Sequence, residues 1–140
     1  MDDGGYELWE SNVIVRFLAA RHGDGLLYPA DLRQRFDAER WMDWQQTTLN
    51  GAGREAFVQL VRTPQAERSA ERLAQSVAAT EPLWDLLDAH LSGRTHIAGD
   101  DLTIADIPLA CEMHRWRGLP LAHRARPGPR RPDCRDRGLR

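Results

Sequence analysis

Hydrophobic residues recur every three or four positions along most of this chain, a pattern that predicts amphipathic helices. After Ser11, the side chains of Val13, Ile14 and Phe17 fall on one face of a helix that Gly23 is suited to end. Residues 6–9 precede this helix and follow a glycine-containing turn signal, which predicts a short strand. The chain is therefore expected to begin with an unpaired strand leading directly into a helix.

A second, longer apolar stripe begins at Leu32 and includes Phe36, Trp41 and Trp44. The glycines of the segment "NGAG" at 50–53 predict an interruption, after which the pattern resumes over 55–62. Thr63 precedes a proline and is therefore expected to end the helix.

The next helix is predicted from about residue 64 to Leu91, with Ser92 and Gly93 ending it. Pro82 lies inside this pattern, where it would remove a hydrogen-bond donor. We therefore expect the helix to restart there, with Thr80 as the new cap.

The strongest local signal is the segment "LTIADI" at 102–107, which predicts a capping box formed by Thr103 and Asp106. The Thr103 hydroxyl can accept from the N–H of Asp106, and the Asp106 carboxylate can accept from the N–H of Thr103. This pairing favours a structural role for Asp106 over acid–base chemistry. The helix that it starts is predicted to end near Trp116.

Residues 119–140 are predicted to form a disordered basic tail, because prolines recur and the apolar period is lost. All 19 cationic residues are arginine, and residues 120–140 hold seven of them against two acidic residues. A basic arm for nucleic acid is one interpretation. The tail has no Phe, Tyr or Trp to stack on bases, so we favour coding sequence read out of frame and expect no nucleic-acid partner.

Composition excludes several classes of protein. The 140 residues are 41% hydrophobic, enough for one core, and contain no apolar run long enough to cross a bilayer. Acidic residues follow Met1, which argues against a signal peptide. The two cysteines predict no disulfide framework, which fits a cytoplasmic location. Cys111 and His114 lack a second pair of ligands, so no metal site is expected and Cys111 is expected to be buried.

Four segments carry a family resemblance: "WESNVIVRFLAA" at 9–20, "WMDWQ" at 41–45, "LVRTP" at 60–64 and "AGDDLTIADI" at 98–107. In this order and spacing they resemble the bacterial cytosolic glutathione S-transferases over residues 3–119. The resemblance implies a mostly α fold, in which the family's C-terminal helical bundle (30–118) follows the last strand and helix of a thioredoxin-like domain (1–24).

The resemblance also implies a site. Glu10 and Ser11 match the family's pair that binds the γ-glutamyl end of glutathione, the co-substrate. A serine hydroxyl and free helix N–H groups suit its carboxylate, and a glutamate suits its ammonium group. Alternatively, Ser11 is only an N-cap. Arg54 would steer an anionic electrophile or lie in solvent. Trp44 would line the electrophile pocket or, with Trp41, belong to the core or to a subunit contact.

The family's catalytic residue and cis-proline loop lie upstream of the segment that this chain matches, so no catalytic residue is predicted. We expect a truncated transferase, inactive alone, whose intact relative conjugates glutathione to a small electrophile or uses it for reduction, in detoxification. The alternative is a non-catalytic helical interaction module. A homodimer without a membrane partner is expected.

Overall fold

The computed structural model describes residues 1–127, and its first element is a small β-hairpin. Strand β1 (Asp2–Asp3) pairs antiparallel with β2 (Tyr6–Glu7). Gly4 and Gly5 both have positive φ, as the two-residue turn between the strands requires. The expectation of an unpaired strand over 6–9 is therefore wrong, because residues preceding it fold back to supply a partner.

Helix α1 (Ser11–His22) follows the hairpin. The N–H of Gly23 donates to the Ala19 carbonyl (2.9 Å), which ends the helix at the predicted glycine. The side chains of Asn12 and Ala19 are buried against the rest of the molecule.

One long helical rod covers residues 32–62. It consists of α2 (Leu32–Trp44), a π-helical turn (Gln45–Leu49), α3 (Asn50–Phe57) and a second π-helical turn (Val58–Arg62). Asp31 caps its start, accepting from two backbone N–H groups at 3.0 Å each, and the extended Thr63 ends it, as predicted.

The predicted interruption at 50–53 is wrong, since these residues form the first turn of α3. Gly53 is buried, and a Cβ atom there would lie 3.5 Å from the Trp116 ring and 3.7 Å from Thr80. This glycine marks a close helix contact, a role that the sequence pattern cannot distinguish from a helix break.

Helix α4 (Ala70–Leu91) begins after a 3₁₀ turn (Gln65–Glu67), and the Ser69 hydroxyl caps it by accepting from the N–H of Arg72 (3.3 Å). The helix continues through Pro82, so the predicted restart is wrong. Thr80 does not cap a new helix; its hydroxyl donates to the Ser76 carbonyl within the same helix (2.7 Å).

Helix α5 (Asp106–Arg117) completes the bundle and packs beside α3 and the first π-helical turn. The Trp84 and Trp116 rings meet at the centre of the core, 6.5 Å apart between centroids. The most completely buried side chains come from the long rod, α4 and the segment before α5: Met42, Leu49, Thr80, Trp84 and Ile104. Within the described part of the chain, no helix is both long and apolar enough to cross a membrane.

Residues 119–127 form no helix or strand, and Arg124 and Arg126 attach the end of this segment to α4. The Arg126 guanidinium pairs with Glu81 (2.6 Å) and Asp85 (2.8 Å), and Arg124 pairs with Asp85 (2.5 Å). Burial lowers the pKa of Arg126, but hydrogen bonds to the two carboxylates outweigh it and raise the pKa above its usual value. The rest of the predicted tail, 128–140, lies outside the described residues, and the division into 1–24, 30–118 and 119–140 stays a prediction.

Candidate functional site

The start of α1 has an unusual backbone. Glu10, the residue before the helix, has φ 71° and ψ 114°, a conformation that non-glycine residues rarely adopt. Its carbonyl accepts from the N–H of Ile14 (2.9 Å). Such strain concentrates at binding and catalytic sites, and the rest of the structure must hold it in place.

Ser11 is the first residue of α1, not its N-cap, and no side chain caps this helix end. The hydroxyl of Ser11 and the N–H groups of the first turn have no hydrogen-bond acceptor among the described residues. The alternative that Ser11 serves only as a cap therefore does not match the geometry. The helix end instead presents several free donors to solvent, since Glu10 and Ser11 are both exposed.

Ser11 lines a cavity of about 390 Å³ between α1, the first π-helical turn and α5. Its walls combine polar and apolar side chains, including Asn12, Gln45, Cys111 and Arg115. A π-helical turn adds a residue to the helical repeat and is frequent at functional sites. Gln45, the first residue of this turn, lines the cavity.

A chain of buried polar groups forms the floor of this site. The Asn12 amide donates to the Met42 carbonyl (3.2 Å) and to Gln45 Oε1 (3.5 Å), and Gln45 Nε2 donates to Glu112 Oε2 (3.2 Å). Asn12, Gln45 and Glu112 are each at most 9% exposed. Buried polar groups are costly unless paired, so this network fixes α1 against the helical bundle.

Arg115 extends this network to the cavity surface. Its Nη2 donates to Glu112 Oε1 (2.5 Å) and Asn50 Oδ1 (2.7 Å), and its guanidinium lies 5.2 Å from the centroid of the Phe57 ring. Both Glu112 oxygens are thereby occupied, whereas Nη1 and Nε of Arg115 have no acceptor among the described residues. Sequence reasoning missed Arg115, because its partners are up to 65 residues away along the chain.

The other predicted pocket residues lie elsewhere. Arg54 is exposed on α3 and does not line the cavity beside Ser11. Trp44 is half-buried and packs edge-on against Trp41, with ring centroids 5.3 Å apart. The Trp41 ring in turn lies 4.4 Å from His90. The structure therefore does not bring Arg54 and Trp44 to the cavity that Ser11 lines.

One of the two hydrogen bonds predicted for the capping box forms, and the other has a different donor. Asp106 accepts from the N–H of Thr103 (2.9 Å) and also from the N–H of Ile97 (2.9 Å). The Thr103 hydroxyl accepts from the N–H of Ala105 (3.3 Å) rather than from that of Asp106. Asp106 thus joins the loop before α5 to the helix start.

Cys111 is exposed, so the expectation that it is buried is wrong. It lies on the side of α5 that faces the cavity beside Ser11. Within residues 1–127, no group of three or more His, Cys, Asp or Glu side chains is arranged to hold a metal ion.

The sequence of this chain matches a known protein family. The sequence model of the family "Glutathione S-transferase, C-terminal domain" matches residues 50–126. Glutathione S-transferase GstB of Escherichia coli K12 is 37% identical over 130 residues, which cover 93% of this chain and 62% of that protein. Elongation factor 1-gamma 1 of rice (Oryza sativa subsp. japonica) is 29% identical over 108 residues, 76% of this chain and 25% of that protein.

Solved structures agree with the sequence comparisons. The theta class glutathione S-transferase of Xanthomonas axonopodis pv. citri superposes in its apo form with a TM-score of 0.84 at 37% identity, covering 90% of this chain and 67% of that one. The same enzyme with glutathione bound gives 0.84 at 38% identity, covering 89% and 60%. The predicted resemblance and the mostly helical fold class are confirmed. The chain spans about 62% of the length of GstB, and it belongs to the glutathione S-transferase family.

Proposed function

We propose that the start of α1 binds the γ-glutamyl end of glutathione as co-substrate. In this arrangement Ser11 and the free N–H groups of the first turn hold the α-carboxylate, and Glu10 pairs with the ammonium group. The observation that carries the proposal is the uncapped helix end, whose serine lines a cavity. The glutathione-bound form of the Xanthomonas enzyme, at 38% identity, supports it.

The electrostatics of this helix end favour an amino acid as ligand. An α-helix carries about half a positive charge at its N-terminus, and its first N–H groups point toward the ligand. The carboxylate of Glu10 lies at the same end and supplies the negative charge that an ammonium group needs. Donors and a carboxylate side by side match the two charges of a zwitterion, whereas a phosphate would be repelled by Glu10.

The electrophile would occupy the remaining cavity, next to Arg115. This guanidinium is held in place by Glu112 and Asn50 and retains unused donors, so it is suited to an anionic group on the electrophile. Arg54 would attract the same anion from the surface, and Trp44 would act through its packing with Trp41. We assign thiol activation to no residue of this chain.

We therefore propose that the chain contributes the glutamyl subsite and one pocket wall to a transferase that conjugates glutathione to a small electrophile or uses it for reduction. A cytoplasmic location and a role in detoxification are part of this proposal. A homodimer is also proposed, because three large apolar side chains on α1 and just before it are exposed: Trp9 at 77%, Val13 at 41% and Leu18 at 42%.

Calorimetric titration of the chain with glutathione tests the site. Ser11→Ala should weaken binding about tenfold or more, because a hydrogen bond to a charged group is lost. Ser92→Ala is the matched control, since Ser92 is exposed at the end of α4 and away from the cavity. Equal affinities of the two variants, or no binding by the parent chain, would refute the proposal.

A second function is a non-catalytic interaction module. The similarity to elongation factor 1-gamma over 76% of this chain favours it. This module would have no need of free donors at Ser11. Absence of glutathione binding in the parent chain, together with a stable complex with another protein, would support this function over the first.

A further inference from the structure

Carboxamide side chains make up much of the wall of the cavity beside Ser11. They come from the start of α1, the first π-helical turn and the start of α3: Asn12, Gln45, Gln46 and Asn50. Among the described residues that line this cavity, Glu112 is the one acidic side chain. Both of its oxygens already accept hydrogen bonds, from Gln45 and from Arg115. The polar groups left to meet a ligand are therefore mainly amides and the guanidinium.

The hydrogen bonds fix which end of each amide is left over. The Glu112 carboxylate can only accept, so Gln45 must turn its Nε2 toward it and its Oε1 toward Asn12. Arg115 can only donate, so Asn50 must turn its Oδ1 toward the guanidinium. The Nδ2 of Asn50, like the Nη1 and Nε of Arg115, therefore remains a donor without an acceptor within residues 1–127.

These leftover donors determine which ligands the cavity favours. An apolar ligand would displace water from them and supply no acceptor, which is unfavourable for an amide and more so for a charged guanidinium. Sites built with such donors reject molecules that lack the matching atoms. Asn50 and Arg115 are joined by a hydrogen bond of 2.7 Å, so the ligand needs acceptor oxygens at two neighbouring points.

We propose that the electrophile of this site is a short oxo acid. Its carboxylate lies against Arg115, and its carbonyl oxygen accepts from the Nδ2 of Asn50. This inference rests on the proposed function, in which glutathione occupies the part of the cavity next to Ser11. The acid must be short, because the whole cavity measures about 390 Å³ and is shared with the tripeptide.

A double bond conjugated with the carbonyl makes such an acid reactive toward a thiol. The sulfur bonds to the β-carbon, the π electrons of the double bond move toward the carbonyl oxygen, and the thiol proton ends on the α-carbon. This addition releases no leaving group. A donor at the carbonyl oxygen stabilises the charge that develops there, and Asn50 is suited to be that donor.

Two unreactive acids test the ligand class. They are 4-oxopentanoate and pentanoate, which share a carbon chain and differ by the carbonyl oxygen. Each is titrated into the full chain with and without glutathione, and the amide resonances of the protein are followed by NMR. We expect 4-oxopentanoate to bind about three- to tenfold more tightly, because one hydrogen bond is added. An apolar pocket would instead prefer pentanoate, the more hydrophobic acid.

Variants at the two donors test the location. Asn50→Leu should remove the preference for 4-oxopentanoate, and Asn50→Asp, which keeps the shape and loses the donor, should do the same. Arg115→Gln should weaken binding of both acids about tenfold or more, because their charged partner is lost. Arg33→Gln is the matched control: it removes an exposed arginine of α2 that does not line the cavity, and it should change neither affinity.

The same titrations separate this inference from the proposed function. Failure of glutathione to bind would refute the glutamyl subsite, whereas the titration with 4-oxopentanoate alone still decides the assignment at Asn50 and Arg115. Any of three results would overturn the inference: no saturable binding of 4-oxopentanoate at millimolar concentration, a preference that persists in both Asn50 variants, or displacement of 4-oxopentanoate by glutathione. Pentanoate binding as tightly as 4-oxopentanoate would overturn it as well.

Discussion

Replacing Gly53 by alanine should stabilise the protein, although the residue is buried. Its φ is not positive, and a Cβ atom would meet its nearest neighbours at 3.5–3.7 Å, which is ordinary van der Waals contact. Alanine is about 0.8–1.0 kcal/mol better than glycine inside a helix. Burial of the added methyl group contributes a similar amount, and small adjustments of the Trp116 ring offset part of it.

We therefore expect Gly53→Ala to raise the free energy of unfolding by about 1 kcal/mol, which corresponds to roughly 3–4 °C in Tm. Urea denaturation followed by circular dichroism measures the first quantity, and a thermal scan measures the second. Gly51→Ala is the matched control, since a Cβ atom there meets nothing within 4 Å. The stability of Gly51→Ala should rise only by the amount that alanine's higher helix propensity contributes.

The opposite expectation follows from the interruption that the sequence pattern predicts at 50–53. If these glycines broke the helix, both alanine variants would destabilise the protein. Gly53→Val adds a test of the packing distance, because its branched side chain would push on Trp116 and cost about 1–3 kcal/mol. If Gly53→Ala lost stability while Gly51→Ala gained it, α3 and α5 would have to lie closer together than the 3.5 Å contact between a Gly53 Cβ atom and the Trp116 ring implies.

Two further predictions concern stability. Asp106→Ala should lower the free energy of unfolding by about 2 kcal/mol in urea denaturation, because two backbone N–H groups lose their acceptor. The control Asp37→Ala removes only an exposed ion pair and should change this free energy little. Equal losses in the two variants would contradict the capping role of Asp106. Burial and a hydrogen bond to Glu39 raise the pKa of Tyr28 above 10.0. Since the unfolded chain then releases this proton at lower pH than the folded chain, stability should fall as pH rises past about 10. This fall should be smaller in Tyr28→Phe than in the control Tyr6→Phe, and identical pH profiles would refute the reasoning.

Local signals predicted local structure well. The cap at Asp106 depends on residues three positions apart, and the end of the long rod at Thr63 depends on the proline that follows, so both could be found from neighbouring residues. The predictions that failed at Gly53 and Pro82 also used local rules. At both positions, packing of the helix against the core contributes more stability than the glycine or proline removes.

For the candidate site, the sequence indicated that Glu10 and Ser11 lie at a helix start, and the structure confirms this position. Their role in binding glutathione was predicted from the family resemblance and stays a prediction. The network from Asn12 through Gln45 to Glu112 joins positions 33 and 67 residues apart, and no periodicity reports such a contact. Arg115 depends on this network for its position. Cys111 was expected to be buried because cysteine usually is, but its place on α5 faces a cavity.

The first π-helical turn has a consequence for insertions and deletions along the long rod. A π-helical turn holds one residue more than an α-helical one, so deleting a residue within Gln45–Leu49 would leave a continuous, fully hydrogen-bonded α-helix. Asn50 would stay beside Arg115 and Gly53 beside Trp116, because the residue removed is the extra one that the wide turn accommodates. A deletion in an α-helical part of the rod would instead rotate every later residue by about 100°. The π-helical turn is therefore the place where this rod tolerates a change of length.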